Sequence, residues 1–363
     1  MTRHYLDHAS TSTLRPVARA AMTEALAGPT GDPSRIHHEG MAARIRVEQA
    51  REQVATLVGA RAREVVFTSG ATEAIAAACW GARERGPHSV ITAVEHSAVR
   101  EWAGRGPVTT VPVDGRGRAD PAAVADAVTP ETAIVHVQWG NHEVGTSQPV
   151  AEVVTACRER EVLVHVDAAQ AVGRVPVDFA ALGADLLSLS GHKFGAPLGT
   201  GALLVRRGLR LDPLLVGGEQ ERARRAGVEN TPALVGLGAV AETLDDERLG
   251  GEEADARRRT DRLREAMAGL DGVTAYGDPD HRLPHIACFG LDDVEPQAVL
   301  LGLDRAGVAA HSGSACASAS LEPSPVLAAM GVDAHRSRRL SVGWDTTDAA
   351  VEAVVDALPA ILA

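Results

Sequence analysis

Short runs of β-branched and aliphatic residues alternate with Ala-rich stretches of helical periodicity through the first two-thirds of the chain. The runs at Val65 to Thr68, Ser89 to Val94, Val108 to Val113, Ala133 to Val137, Val162 to Val166, Asp185 to Ser190 and Gly201 to Val205 predict strands. Between them, Met41 to Val58 places Ile45, Ala50, Val54, Leu57 and Val58 at helical intervals, which predicts a helix with one apolar face. Strands alternating with helices predict an α/β fold with a mostly parallel sheet covered on both faces, and such sheets gather their sites at the carboxyl ends of the strands. After about Asn230 the pattern changes. A helix rich in Ala, Leu and Val leads into Asp245 to Arg264, whose mixed charges describe a solvated helix face, and then to shorter strands around His285 to Phe289 and Gly307 to His311. This stretch reads as a second, smaller domain joined by a long helix, with a break expected at Gly250-Gly251.

Composition narrows the function classes. With 363 residues and 45% hydrophobic positions the chain can bury a real core, and a formal charge of -12 with no basic block argues against nucleic acid or an anionic membrane as its partner. The start has no apolar signal-like run and no stretch spans a bilayer, so the cytoplasm is the default. Cys79, Cys157, Cys288 and Cys316 are widely spaced, and neither they nor the histidines suggest a disulfide framework or a metal site.

The chemistry is announced by a count. Of 36 basic residues, 35 are arginine, and the one lysine is Lys193 in Ser190-Gly191-His192-Lys193. Arginine supplies charge and solubility everywhere else, but a guanidinium stays protonated, whereas a lysine amine can lose its proton and attack a carbonyl. Lys193 is therefore the candidate nucleophile for a Schiff base. Asp167 closes an apolar strand and has two readings, a cap for the next helix or the anionic partner of a protonated heterocyclic nitrogen. Ser69 to Glu73 closes another strand and opens a helix, so it reads either as a capping box or as an anion cradle. In the second case Ala71 and Thr72 supply the groups, with Ser190 and His192 adding donors. His96, at a further strand end, is either a structural hydrogen bonder or an imidazole placed to stack on a ring and move protons. Cys316 lies in the small-residue stretch His311 to Ser320, unlike the other three cysteines, which sit in apolar helix or strand patterns. Arg339 is placed either for a surface ion pair or for a forked contact with a carboxylate.

Taken together, these segments resemble the pyridoxal-phosphate-dependent cysteine desulfurases of the class V aminotransferase group, fold type I. The likeness runs through Tyr5 to Thr11, Gly31 to Ser34, Phe67 to Glu73, Glu95-His96, Asn141 to Gly145, Asp167 to Gln170, Ser190 to Lys193, Gly217 to Glu221, Ser312 to Pro323 and Arg339 to Gly343. The Cys316 segment is similar to that of the long-loop subgroup.

The resemblance implies a large domain over residues 16–240 and a small one formed by 1–15 and 241–363, the latter carrying the catalytic cysteine. It implies that Lys193 holds pyridoxal 5'-phosphate and that Asp167 pairs the pyridine nitrogen. Gln170 bonds the phenolic oxygen, His96 stacks on the ring, and Ala71, Thr72, Ser190 and His192 bind the phosphate. Arg339 takes the substrate carboxylate, and His142 contacts cofactor and substrate. The implied reaction converts L-cysteine to alanine and leaves a persulfide on Cys316 for acceptor proteins, among them those of iron–sulfur cluster biogenesis, with a homodimer as the working unit. A lyase or aminotransferase acting on another amino acid, or a weakly catalytic sulfur-acceptor scaffold, are the alternatives. Three positions depart from the family pattern: His142 stands where a second Asn is usual, Val228 where Thr is usual and Asp32 where Asn is usual. Loss of the Thr hydroxyl predicts weaker cofactor retention.

Overall fold

The computed structural model describes residues 2–28, 31–292, 294–311 and 323–362, so Cys316 and its neighbours at 312–322 lie outside the described residues. The strands are β1 His4–Tyr5, β2 Val65–Thr68, β3 His88–Thr92, β4 Val108–Val111, β5 Thr132–Gln138, β6 Leu163–Asp167, β7 Leu186–Ser190, β8 Gly201–Val205, β9 Val273–Tyr276, β10 Ile286–Leu291, β11 Val308–Ala309 and β12 Ser337–Ser341. The seven predicted strands of the first half are all present, with ends moved by no more than a few residues.

They form one sheet in the order β2-β8-β7-β6-β5-β3-β4. The pairings from β4 to β7 are parallel, and β8 runs antiparallel to both β7 and β2. Every residue of β5 to β8 is buried, as a sheet clad with helices on both faces requires. The predicted helix around Met41 to Val58 runs His38–Leu57, started by the His37 side chain accepting from the Gly40 amide.

A second core gathers Leu6 with residues between Ala256 and Leu358. It is built on the antiparallel sheet β12-β10-β9 and the short parallel pair β1-β11. Here one expectation is corrected. Gly250-Gly251 does not break the helix, which runs unbroken from Asp246 to Ala268. Leu249, Ala256, Leu263 and Met267 bury one face, and Asp245 caps the start. That packing offsets the roughly 1 kcal/mol that each glycine costs. Ser337 to Ser341, for which the sequence reading named no element, is a strand in which Arg338 and Arg339 are buried despite their charge. Among the described residues no helix is long and apolar enough to cross a membrane.

Candidate active site

The carboxyl ends of β2, β5, β6 and β7 converge on a cavity of about 240 Å³. Its lining takes in Ser69 to Thr72, His96, Gln138, His142, Asp167, Gln170, Ser190, His192 and Lys193. Thus Ala71, Thr72, His96, His142, Asp167, Gln170, Ser190, His192 and Lys193, named from the sequence, share one wall system, and Arg339 stands behind it. Strand geometry accounts for this: each of β5, β6 and β7 ends in a polar residue on the register that brings Gln138 opposite Asp167 and Asp167 opposite Ser188.

One end is built for an anion. The helix Ala71–Ala82 presents its N-terminus there, and Ser190 Oγ lies 3.0 Å from His192 Nδ1. The backbone is packed so tightly that a Cβ on Gly201 would meet Gly70 Cα at 2.6 Å. Burial, with Lys193 nearby, holds His192 down at about 4, so it works as a neutral imidazole.

The other end is acidic. Asp167 Oδ1 accepts from Ser188 Oγ at 2.9 Å and from the Ala169 amide at 3.1 Å, and burial raises its pKa. Behind it, Glu95 is fully buried and pushed up to about 8, mainly by desolvation and further by Asp167. Glu95 Oε1 accepts from Thr92 Oγ1 at 2.7 Å and from the Gln138 amide at 3.0 Å, while Oε2 is buried without a partner. The Asp167 charge adds to the Glu95 shift, so a cation placed against Asp167 would be favoured there.

Between these ends Lys193 Nζ donates to the carbonyl oxygens of Ala9 at 2.7 Å and Ser10 at 2.9 Å. Burial first, and the Arg339 charge second, lower its pKa to about 8, well into the range of a usable base. His96 caps the helix Ser97–Ala103 by accepting from the Ala98 amide through Nδ1. Burial holds it at about 3, so at neutral pH it is an uncharged ring with Nε2–H as its donor. Gln170 has already donated from Nε2 to Ala9, at 2.8 Å, which leaves one amide hydrogen for a ligand.

Arg339 donates from Nη1 to the His142 carbonyl at 2.7 Å and from Nη2 to Asp7 Oδ1 at 2.9 Å. Neither a free surface charge nor an empty fork, it is a buried cation tethered to the N-terminal segment. Sequence reasoning missed Glu95, Ser188, Asp7 and the carbonyls of Ala9 and Ser10. Only Ser188 carried a local signal, lying two residues before Ser190 on the same face of β7.

The aminotransferase class-V profile matches residues 4–354. The chain belongs to the aminotransferase class-V family. Within it, a cysteine desulfurase from Cereibacter sphaeroides is 40% identical over 376 aligned positions, spanning 100% of this chain and 96% of that protein. A solved NifS-like protein superposes with a TM-score of 0.92 at 30% identity over 99% of each chain. SspA, solved in complex with cysteine, superposes with a TM-score of 0.82 at 29% identity over 93% of this chain and 98% of its own. The class-V scaffold is therefore the fold type I architecture that the sequence motifs implied.

Proposed function

We propose that this class-V protein is a pyridoxal-phosphate-dependent cysteine desulfurase. The observation that carries it is that the one lysine of the chain enters the same cavity as a buried aspartate. The residues present fit the cofactor: the helix N-terminus with Thr72, Ser190 and His192 suits a phosphate, and the paired carboxyls of Asp167 and Glu95 suit a protonated pyridine nitrogen. His96 and Gln170 would hold the ring and its phenolic oxygen, with Ala71 against the phosphate. The buried Glu95 Oε2, without a hydrogen-bond partner, lies in the same acidic end.

When bound, the cofactor supplies an electron sink for negative charge at the carbon next to the substrate amine. Lys193 takes the proton from that carbon and returns it. Arg339 and His142 hold the substrate carboxylate, and the buried neutral ring of His96 keeps water from the reacting face. The sulfur acceptor is Cys316: its thiolate forms an S–S bond to the substrate sulfur as the C–S bond breaks. The electron pair of that bond stays on the carbon that carried the sulfur, which takes up a proton to become a methyl group; once Lys193 has returned the proton next to the amine, the products are alanine and an enzyme persulfide. The three other thiols are unsuited, since burial pushes Cys79, Cys157 and Cys288 up to about 12, 11 and 12.

Residues 16–240 serve as the cofactor domain and 1–15 with 241–363 as the small domain in this reading, supported by the two separate cores. A homodimer is supported by bare apolar side chains such as Ile36, Met41 and Ile45, the last two one turn apart on the helix His38–Leu57. A cytoplasmic setting is supported by the three described cysteines being free. Acceptor proteins collect the persulfide sulfur.

The test is anaerobic incubation with L-cysteine and a reductant, quantifying alanine and sulfide for wild type and Cys316→Ala. Equal amounts of both products from the wild type and neither from the variant support the reading; matching output from the variant overturns it.

A further inference from the structure

Behind the cavity stands a histidine that the reaction above does not use. His285, the residue before β10, is fully buried; its Nε2 lies 3.2 Å from Gln170 Oε1, and its Nδ1 has no hydrogen-bond partner. The same Gln170 side chain donates from Nε2 to the Ala9 carbonyl at 2.8 Å. A carbonyl oxygen only accepts, so Ala9 fixes which end of the amide is nitrogen. Oε1 therefore faces His285, and an amide oxygen also only accepts. The imidazole proton must then sit on Nε2, which leaves Nδ1 as a bare lone pair. Burial first, and the Arg174 charge second, hold the pKa of this ring well below the usual histidine range, so at neutral pH it carries that single proton.

The backbone around His285 is fixed from three directions. The Leu283 amide donates to the Gly145 carbonyl at 2.8 Å, Thr260 Oγ1 donates to the Pro284 carbonyl at 2.8 Å, and the Val342 amide donates to the His285 carbonyl at 3.0 Å. These partners come from the segment after β5, from the helix Asp246–Ala268 and from the residue after β12. With the ring anchored in this way, the amide adjusts to the ring. Gln170 is pinned by Ala9 at its nitrogen and by His285 at its oxygen, and its second amide hydrogen is left for a ligand in the cavity it lines. A single pin would hold the group less well, because the terminal torsion of a glutamine is broad and roughly two-fold.

We propose that His285 is a positioning residue that acts through Gln170: its Nε2–H holds the amide oxygen so that the free amide hydrogen is offered to the phenolic oxygen of the cofactor. The proposal rests on the pyridoxal-phosphate reading of the cavity and adds to it a residue that does not line that cavity. A donor to the phenolic oxygen favours its anionic form. Negative charge there is greatest once the nitrogen joining Lys193 to the cofactor has lost its proton, so the donor keeps the pKa of the bound cofactor low.

The test titrates the visible absorbance of cofactor-loaded full-length protein from pH 6 to 10 in wild type, His285→Gln, His285→Leu, Gln170→Leu and the double variant of the last two. Glutamine places an amide N–H close to where Nε2 stands, so His285→Gln is expected to titrate as wild type does. His285→Leu is expected to raise the midpoint by about one pH unit. In the Gln170→Leu background the same change is expected to add nothing, an outcome that a merely structural role at position 285 does not give. Should His285→Leu fail to fold, His285→Asn takes its place with the same expected shift, because its amide falls near Nδ1 and short of Gln170. An unmoved midpoint, a shift as large in His285→Gln, or a shift undiminished without Gln170 overturns the proposal. A wild type that gains no visible band from pyridoxal 5'-phosphate overturns the cofactor reading and this proposal together, whereas a normal band with unmoved midpoints overturns this proposal alone.

Discussion

Lys193 Nζ donates to the carbonyl oxygen of Ala9 at 2.7 Å, which ties the amine of the large sheet to a segment that continues from β1. Two carbonyls and no carboxylate in direct contact leave the amine solvated by dipoles alone, and burial lowers its pKa to about 8. Lys193→Arg keeps the charge but not the removable proton. Both it and Lys193→Ala are expected to lose about 10³-fold or more in alanine formation from L-cysteine, and retained turnover in either would remove Lys193 from the chemistry.

Thiol accessibility gives a direct count. Cys157 and Cys288 are buried and Cys79 half-buried, and desolvation raises the pKa of all three thiols. Native protein treated briefly with iodoacetamide near pH 7.5 is expected to carry one label, on Cys316, as read by intact mass and peptide mapping. Cys316→Ala is expected to carry none.

The buried carboxyl of Glu95 sets a stability slope in cofactor-free protein. Its proton is held to about pH 8 in the fold against 4.5 as the ordinary value, so the folded chain binds the extra proton between those limits. Stability therefore falls as pH rises through that window, by at most about 1.4 kcal/mol per pH unit. Buried neutral histidines such as His136 act in the opposite sense below 6.5, so the clean interval is pH 6.5 to 8. There Glu95→Gln is expected to flatten the decline in Tm; an unchanged slope assigns it to other groups.

Arg51 and Glu221 meet in a buried forked pair at 2.6 and 2.7 Å, and Glu221 Oε2 also accepts from the Phe67 amide at 2.9 Å. That bond fixes β2 two residues ahead of Ser69, so the pair holds the anion cradle in place. Arg51→Ala strands the carboxylate and is expected to cost about 3 to 5 kcal/mol in chemical denaturation, together with weaker cofactor retention on dialysis.

Val228 is exposed, at the position where the sequence resemblance implies a Thr hydroxyl directed at the cofactor phosphate of a partner subunit. Val228→Thr is expected to tighten cofactor binding by about 1 kcal/mol or more, roughly five-fold upwards. Equal cofactor affinity in fluorescence titrations of the two proteins would show that no phosphate donor is missing.

Much of this site was legible because its residues end strands. Asp167 and Ser190 terminate apolar runs, and Lys193 was marked by its rarity. What escaped notice depends on contacts between distant segments. Nothing local to Glu95 announces that Asp167 will stand nearby and raise its pKa, and nothing in Asp7 announces Arg339, 332 residues away. The lowered pKa of His96 could not be read from the sequence for the same reason, since burial is a property of the packed whole. β12 was hidden because two arginines look solvent-facing until their partners are in place. Gly250-Gly251 misled because local propensity was outweighed by packing on the opposite face of the helix.

The pairing of β1 with β11 brings His4 beside Val308, and Asp7 bridges to Ser341. On the ribosome, therefore, the first residues to emerge must wait for nearly the last before they find their place. Ala9 and Ser10, whose carbonyls hold the Lys193 amine, follow directly on this segment, so the amine is positioned by a part of the chain that also joins the small core built from its other end.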